Sequence, residues 1–264
     1  MMQLRKCGVP PYTVAVLHGG PGAPGSAGLL ARELGMEFGV LEPWQTLPTI
    51  AGQLEELAEV LRKFEAEQVT LVGHSWGAWL GYLFAVRYPE RVRKLILVGC
   101  GPFTPEYLSQ LNQTRMGRLT ATEQKQVELW QQALQDPDVA DKEAIFANFG
   151  KLMARVDSFD PLADEVEPGK FQPEIFESIM TELQELRWSG ELLEEGRRIQ
   201  CPVVAVHGDY DPHPADGVAL PLQAVLQDFK MVRLERCGHT PWKERQAREE
   251  FYRVLREEIR NVSL

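Results

Sequence analysis

The 264-residue sequence predicts an α/β protein in which a mostly parallel, doubly wound sheet carries an all-helical insertion. Apolar runs of strand length recur along the chain, amphipathic helical stretches alternate with them, and a long central stretch contains no such run. Alternation of buried strands and helices is typical of βαβ units. We expect the sheet domain to comprise residues 1–102 and 200–264, and the helical insertion to comprise residues 103–199.

Strands are predicted from apolar runs that are continuous rather than alternating, as in a parallel sheet covered on both faces. These runs lie at residues 12–17, 38–41, 69–72, 94–98, 202–206 and 230–234. Residues 1–11 contain no comparable run and are expected to be irregular. The prediction is therefore a sheet of about six strands that is reduced at its N-terminal side.

Helices are predicted where apolar residues recur every three or four positions. Those of the sheet domain are expected at residues 26–34, 50–67, 76–87 and 242–259, with Thr49 as the N-cap of the second. Those of the insertion are expected at residues 120–134, 139–155 and 173–188. Thr120 and Glu123 have the spacing of a capping box. Such an insertion is typical of a lid over loops that carry chemistry.

Composition and charge disfavour several classes of function. The formal net charge of −10 argues against binding to nucleic acid or to an anionic membrane. The four cysteines, which are Cys7, Cys100, Cys201 and Cys237, are scattered without metal-ligand spacing and are expected to be reduced. No apolar run has the length of a signal-peptide core or a membrane span. We therefore expect a cytoplasmic monomer or homodimer.

The pentapeptide Gly73-His-Ser-Trp-Gly77 matches the pattern G-x-S-x-G and lies between a predicted strand and a predicted helix. In that context the chain turns so sharply that its central residue adopts a strained backbone conformation. A side chain at either glycine would collide with the neighbouring strand or helix. The turn presents the central hydroxyl at the sheet edge, and Ser75 is therefore predicted to be a nucleophile.

A serine hydroxyl becomes nucleophilic when a base accepts its proton and an acid orients that base. Candidates for both roles follow Ser75, each in a loop after a predicted strand. Because parallel strands present their carboxyl ends at one sheet edge, these loops are expected to converge. His239 is the candidate base, and Asp209 and Asp211 are the candidate acids.

Four motifs make the chain resemble the α/β-hydrolase superfamily, and within it the lidded serine hydrolases similar to proline iminopeptidases. They are His18-Gly-Gly-Pro-Gly22, Gly73-His-Ser-Trp-Gly77, Gly208-Asp-Tyr-Asp211 and Gly238-His239. The resemblance implies the α/β-hydrolase fold and a catalytic triad, with the family pattern Gly-x-x-Asp favouring Asp211 over Asp209 as the acid. It also implies an oxyanion hole made by the backbone N–H groups of Gly20 and Trp76.

The other histidines and the tryptophans are assigned to the surroundings of this site. The residues expected to line the substrate pocket are His18, Gly19, His74, Trp79 and Trp242. His207 is expected to be hydrogen-bonded within the core, and His213 to be exposed on its loop. The histidines have neither the H-E-x-x-H spacing nor a carboxylate at ligand spacing, so neither a metal nor a cofactor is expected.

The sequence predicts a serine hydrolase that cleaves a small ester, thioester or amide through an acyl-enzyme on Ser75. The expected substrate is thus a small acyl compound or a short peptide. Alternatives on the same residues are a proline iminopeptidase-like aminopeptidase, a carbon–carbon bond hydrolase and an acyltransferase. A non-catalytic ligand receptor is the least favoured alternative, because a receptor needs no complete triad.

The resemblance to proline iminopeptidases also implies carboxylates that hold the free α-amine of a peptide. The insertion offers acidic residues for this role at two places: Asp157, Asp160, Asp164, Glu165 and Glu167, and then Glu191, Glu194 and Glu195. Acidic runs are also common as solvated faces without a ligand. Both interpretations of these residues are open at the level of the sequence.

Overall fold

The computed structural model describes residues 3–136, 138–139, 141–163 and 171–261. Its strands are β1 (Leu4–Cys7), β2 (Tyr12–Leu17), β3 (Gly39–Pro43), β4 (Val69–His74), β5 (Val92–Val98), β6 (Val203–Gly208) and β7 (Phe229–Leu234). They form one seven-stranded sheet in the order β1-β3-β2-β4-β5-β6-β7. Every neighbouring pair is parallel except β1 with β3. This mostly parallel, doubly wound sheet confirms the predicted fold class.

Strand β1 corrects the prediction that residues 1–11 are irregular and that the sheet has about six strands. It pairs antiparallel with β3 at one edge of the sheet. Its central residues are the charged Arg5 and Lys6, and Arg5 forms an ion pair with the fully buried Glu42 on β3. Charged side chains are common on edge strands because they discourage pairing with other chains. The strand therefore lacks the apolar run on which the prediction depended.

The helices begin and end close to the predicted positions where the apolar period is clear. They are α1 (Gly28–Leu34), α2 (Ile50–Lys63), α3 (Trp76–Arg87), α4 (Leu108–Gly117), α5 (Ala121–Gln135), α6 (Lys142–Val156), α7 (Pro173–Ser189), α8 (Glu191–Glu194), α9 (Asp216–Val225) and α10 (Arg248–Arg260). Helices α4 to α8 lie in residues 103–199, hereafter the helical insertion, between the neighbouring strands β5 and β6. Among the helices of the described residues, none is both long and apolar enough to cross a bilayer.

Both predicted helix caps are confirmed, and one predicted helix start is wrong. Thr49 accepts a hydrogen bond from the N–H of Gly52 at 3.1 Å, and the capping box of Thr120 is complete. Helix α10 begins at Arg248 rather than at residue 242. A short 3-10 helix, Pro241–Lys243, precedes it, and Glu244 separates the two because its backbone is extended and bridges to Pro161 of the helical insertion.

The hydrophobic core lies on both faces of the sheet, since successive strand residues point to opposite sides. On β4, Leu71 belongs to the cluster packed with α2 and α3, whereas Val72 belongs to the cluster packed with α1 and α10. Helix α3 is buried along its length except at Arg87. Each large apolar side chain buried in this way contributes roughly 1.5–3 kcal/mol. The N-terminus of α3 is thus rigidly fixed against the sheet.

Candidate active site

Ser75 occupies the turn between β4 and α3 with φ of 53° and ψ of −114°, a conformation rare for any residue except glycine. Its N–H donates to the carbonyl of Val98 on β5 at 2.9 Å. A Cβ on Gly73 would lie 2.1 Å from the carbonyl oxygen of Gly77, and a Cβ on Gly77 would lie 2.4 Å from that of Leu17. Close packing at the two glycines therefore holds the serine in its strained conformation.

Asp211 and His239 meet at the same sheet edge, beyond the ends of β6 and β7. The Nδ1–H of His239 donates to Oδ2 of Asp211 at 2.8 Å, and the Asp211 carboxylate is fully buried. Gly99, at φ 53°, packs against the pair, because a Cβ there would lie 2.7 Å from the His239 carbonyl oxygen. Asp209 is exposed and accepts the N–H of Cys237 at 3.1 Å. Of the two candidate acids, Asp211 is the one bound to His239.

The charges of this pair stabilise each other. Burial alone would raise the pKa of Asp211, but the imidazoles of His239, His213 and His207 outweigh it and hold that pKa well below its ordinary value. Burial alone would lower the pKa of His239, but the charge of Asp211 and its hydrogen bond raise it. The carboxylate is thus ionised, and it stabilises a proton on the neighbouring imidazole.

Three further histidines surround the pair. His213, predicted to be exposed, is instead buried: its Nδ1–H donates to Oδ1 of Asp211 at 2.7 Å and its ring stacks on His239 at a centroid distance of 4.5 Å. His207 donates its Nε2–H to the His213 carbonyl at 2.8 Å, and His74 donates its own to the His239 carbonyl at 3.0 Å. Asp211, His213 and His239 bring potential metal ligands within 4.8 Å of one another. Nδ1 of His213 and Nδ1 of His239 are each already hydrogen-bonded to a carboxylate oxygen of Asp211.

The loop after β2 lies directly against the serine turn. A Cβ on Gly19 would lie 2.6 Å from Nδ1 of His74 and 3.3 Å from Cβ of Ser75. Gly20 follows at φ 62°, in the left-handed region that favours glycine. Trp76 is the first residue of α3, so its N–H belongs to the unpaired first turn of that helix. Their predicted roles in an oxyanion hole remain predictions.

His18 supports the loop after β2 through hydrogen bonds of its side chain. Its side chain is fully buried, Nδ1–H donates to the Gly19 carbonyl at 3.1 Å, and Nε2 accepts the N–H of Gln45 at 3.3 Å. Burial lowers its pKa to about 4, which keeps the ring neutral. Both ring nitrogens are therefore used within the protein.

The two tryptophans predicted to line the pocket are both largely buried. Trp79 lies under the guanidinium of Arg187, 4.8 Å from its ring centroid, and packs over Gly101. Trp242 contacts His74 at a centroid distance of 4.6 Å and belongs to the core cluster with α10. Trp242 thus lies beside His74, and contact of either tryptophan with a substrate remains a prediction.

The helical insertion contacts three loops of the site edge through backbone hydrogen-bonding groups. These contacts are the Gln172 N–H to the Gly22 carbonyl at 2.8 Å, the Arg187 Nε–H to the Pro102 carbonyl at 3.0 Å, and the His239 N–H to the Asp157 carbonyl at 2.9 Å. The insertion is thus attached to the loop after β2, the loop after β5 and the loop that carries His239.

Glu244 strengthens the third attachment and was not identified from the sequence. It is fully buried, and its carboxyl oxygens accept the N–H groups of Phe159 at 2.9 Å, Asp160 at 2.7 Å and Gly238 at 3.0 Å. Two of these donors belong to the insertion, and the third adjoins His239. The only signal in the sequence was a carboxylate between Pro241-Trp242 and an amphipathic helix.

Most of the described acidic residues predicted to bind an amine are paired with arginines. Asp157 forms a two-bond ion pair with Arg115, at 2.9 and 2.5 Å, and Asp160 pairs with Arg245 at 3.5 Å. The remaining described candidates, Glu191, Glu194 and Glu195, lie in or just after α8. Glu194 and Glu195 each pair with a neighbouring arginine. Asp164, Glu165 and Glu167 lie outside the described residues.

A mostly parallel sheet with a strained serine turn and an Asp–His pair at its carboxyl edge defines a hydrolase of the α/β class. Residues 4–254 match the model of the alpha/beta hydrolase family. The chain therefore belongs to the alpha/beta hydrolase family, which confirms the resemblance seen in its motifs.

Individual relatives agree with this assignment. The chain is 39% identical over 72 residues to 2-hydroxy-6-oxo-2,4-heptadienoate hydrolase of Pseudomonas putida, a match that covers 27% of this chain and 22% of that protein. VinJ has a TM-score of 0.70 at 19% identity, covering 99% of this chain and 95% of that one. Proline iminopeptidase of Mycobacterium smegmatis has a TM-score of 0.65 at 18% identity, covering 98% and 93%. At these identities the structural matches show the fold alone, and the curated match spans about a fifth of its relative.

Proposed function

We propose that the chain is a serine hydrolase that cleaves a small ester, thioester or amide through an acyl-enzyme on Ser75. The observation that carries this proposal is one arrangement: a strained serine at φ 53° with a 2.8 Å Asp211–His239 hydrogen bond beyond adjacent strand ends. Strain at a non-glycine residue is retained where the surrounding packing enforces it, and such residues cluster at functional sites. The buried, ionised Asp211 is what an imidazole base needs as its partner.

In the proposed mechanism, Nε2 of His239 accepts the hydroxyl proton of Ser75 while Oγ attacks the substrate carbonyl. Backbone N–H groups of Gly20 and Trp76 bind the resulting oxyanion. The tetrahedral intermediate collapses, the bond to the leaving group breaks, and His239 donates its proton to that group. Water, deprotonated by the same imidazole, then attacks the acyl carbon, and Ser75 recovers the proton on release of the acid.

We further propose that the helical insertion is a lid over this site. Its attachments to three loops of the site edge support this role, because those loops follow the carboxyl ends of β2, β5 and β7. A lid excludes water from the reaction and restricts which acyl groups can enter. Residues 1–102 and 200–264 then form the hydrolase core.

Labelling with a fluorophosphonate probe tests the nucleophile. We expect wild-type protein to be labelled and Ser75→Ala and His239→Ala to lose labelling, with Ser189→Ala, at an exposed serine that ends α7, as the matched control. Labelling that persists in Ser75→Ala would refute the assignment of the nucleophile. If neither this probe nor the smaller phenylmethanesulfonyl fluoride labels the wild type, the enzyme proposal fails as a whole.

A second candidate is hydrolysis of a carbon–carbon bond beside a ketone, in which water supplies hydroxyl to the acyl carbon and a proton to the departing carbon. The observation in its favour is the 39% identity over 72 residues to 2-hydroxy-6-oxo-2,4-heptadienoate hydrolase. Turnover of p-nitrophenyl acetate, L-proline β-naphthylamide and that dienoate separates ester, aminopeptidase and carbon–carbon chemistry. The first is expected to be the best substrate, and faster turnover of the dienoate would favour the second candidate.

A further inference from the structure

One side chain beside the proposed triad has no role in the mechanism above. His213 follows Asp211 by two residues and is fixed at three points. Its backbone N–H and its Nδ1–H both donate to Oδ1 of Asp211, at 2.9 and 2.7 Å, and its carbonyl accepts from His207 at 2.8 Å. Prolines precede and follow it, which further restricts the backbone. The orientation of its ring is therefore determined by the protein.

The tautomer of His213 is determined by the same contacts. Since the ionised Asp211 only accepts hydrogen bonds, Nδ1 of His213 carries the proton and Nε2 carries a lone pair. Burial lowers the pKa of His213 to about 4, so the ring stays neutral at ordinary pH. The ring thus presents a permanent hydrogen-bond acceptor at Nε2.

That acceptor belongs to a ring stacked on the ring of the proposed catalytic base. The His213 and His239 rings stack at a centroid distance of 4.5 Å and an interplanar angle of 28°, and each binds a different oxygen of Asp211 through Nδ1. Each Nε2 therefore points away from the carboxylate, on two rings that lie against each other. Nε2 of His213 has no hydrogen-bond partner among the described residues, although 11% of the side chain is accessible.

We propose that His213 is a specificity-determining residue whose Nε2 accepts a hydrogen bond from an N–H or O–H group on the carbon next to the scissile carbonyl. This inference rests on the proposed function, because it places the reacting carbonyl at His239. When the reacting carbonyl lies at His239, a donor atom two bonds from the carbonyl carbon lies beside that base, next to the imidazole of His213. The substrate class is therefore a 2-hydroxyacyl or 2-aminoacyl compound.

Hydrolysis of four methyl esters tests this inference, with the released acid measured in a pH-stat. The esters of L-lactate and L-alanine carry a donor, whereas those of propionate and 2-methoxypropionate do not. We expect wild-type kcat/KM to be about tenfold higher for lactate or alanine than for 2-methoxypropionate, as for one neutral hydrogen bond, because the methoxy group withdraws electrons as the donors do but cannot donate. A preference for lactate alone identifies the hydroxyl donor, and one for alanine alone identifies the amine donor.

His213→Asn keeps a side-chain donor for Asp211 but removes Nε2, and it is expected to reduce the ratio of kcat/KM for a donor ester to that for 2-methoxypropionate to about one. The ratio is the diagnostic quantity, because a purely structural role lowers all the esters by the same factor. Asp209→Asn, in the same loop but exposed, is the control and should keep the wild-type ratio.

Either of two results overturns the inference: a wild type with no higher kcat/KM for the donor esters than for 2-methoxypropionate, or a preference over 2-methoxypropionate that survives in His213→Asn. The wild-type comparison alone decides the matter if the variant does not fold. Fluorophosphonate labelling of the same wild-type sample distinguishes the two failures. A labelled serine with no donor preference removes the role of His213 alone, whereas an unreactive serine removes the proposed function with it.

Discussion

Replacing Glu244 tests how far the attachment of the helical insertion supports the site. In Glu244→Ala, three backbone N–H groups lose their acceptor. The N–H of Gly238 is left unsatisfied in the interior, whereas those of Phe159 and Asp160 gain partial access to water. With about 1–3 kcal/mol for a buried unsatisfied donor and less for the other two, we expect a loss of about 3 kcal/mol in the free energy of unfolding. For a chain of this size that corresponds to a melting temperature lower by roughly 6–12 °C.

Differential scanning calorimetry measures this change, and the rate of p-nitrophenyl acetate hydrolysis measures its effect on the site. Glu244→Gln, which retains one acceptor oxygen, is expected to fall between the alanine variant and the wild type. Glu249→Ala is the control, because Glu249 is an exposed glutamate in the first turn of α10. We expect hydrolysis to fall more than tenfold in Glu244→Ala, since the loop that carries His239 is released. A melting temperature of Glu244→Ala within 2 °C of the wild type would refute the role of Glu244 in attaching the helical insertion.

Three further predictions follow from the site and its surroundings. Gly77→Ala is expected to abolish fluorophosphonate labelling and lower the melting temperature, because its Cβ would lie 2.4 Å from the last carbonyl oxygen of β2; a folded, labelled variant would contradict this. Because a protonated base is inactive and the pKa of His239 is raised, kcat/KM should fall on acidification through a value above the ordinary 6.5. Asp211→Asn should move that acid limb to lower pH, and an unmoved limb would show that Asp211 does not set it. Burial raises the thiol pKa of Cys100 and Cys237, so both should react with Ellman's reagent at pH 8 only after unfolding, and rapid labelling of the native protein would contradict their burial.

The sequence predicted those parts of the fold that short-range patterns determine. Strands buried on both faces require continuous apolar runs, and all six predicted strands are present. Strand β1 was missed because one edge strand needs little apolar surface, and its charged Arg5 is partnered by Glu42 on β3. Helix α9 was missed because Gly217 and Pro221 interrupt its helical pattern, although tertiary packing buries much of its surface.

The same difference between local patterns and distant contacts applies to the residues of the candidate site. Motif and chain order predicted Ser75, Asp211 and His239, because each lies in a local turn at a strand end, and the structure brings Asp211 and His239 within hydrogen-bonding distance. The burial of His213 and the anchoring role of Glu244 depend on partners distant in sequence or on the closure of several loops together. Local spacing contains no record of such contacts, so a loop histidine was expected to be exposed.

Strands β5 and β6 pair directly although the helical insertion separates them in the sequence. This pairing has a consequence for how the protein could evolve. The entropy lost on closing a loop grows only with the logarithm of its length, so doubling the connection costs about 0.6 kcal/mol. The helical insertion could therefore lengthen, shorten or be exchanged with little effect on the sheet. Two constraints would remain: an acceptor for the N–H of His239, now supplied by Asp157, and donors for Glu244. New substrate ranges are accessible to this sheet through its insertion, provided that those few hydrogen bonds are kept.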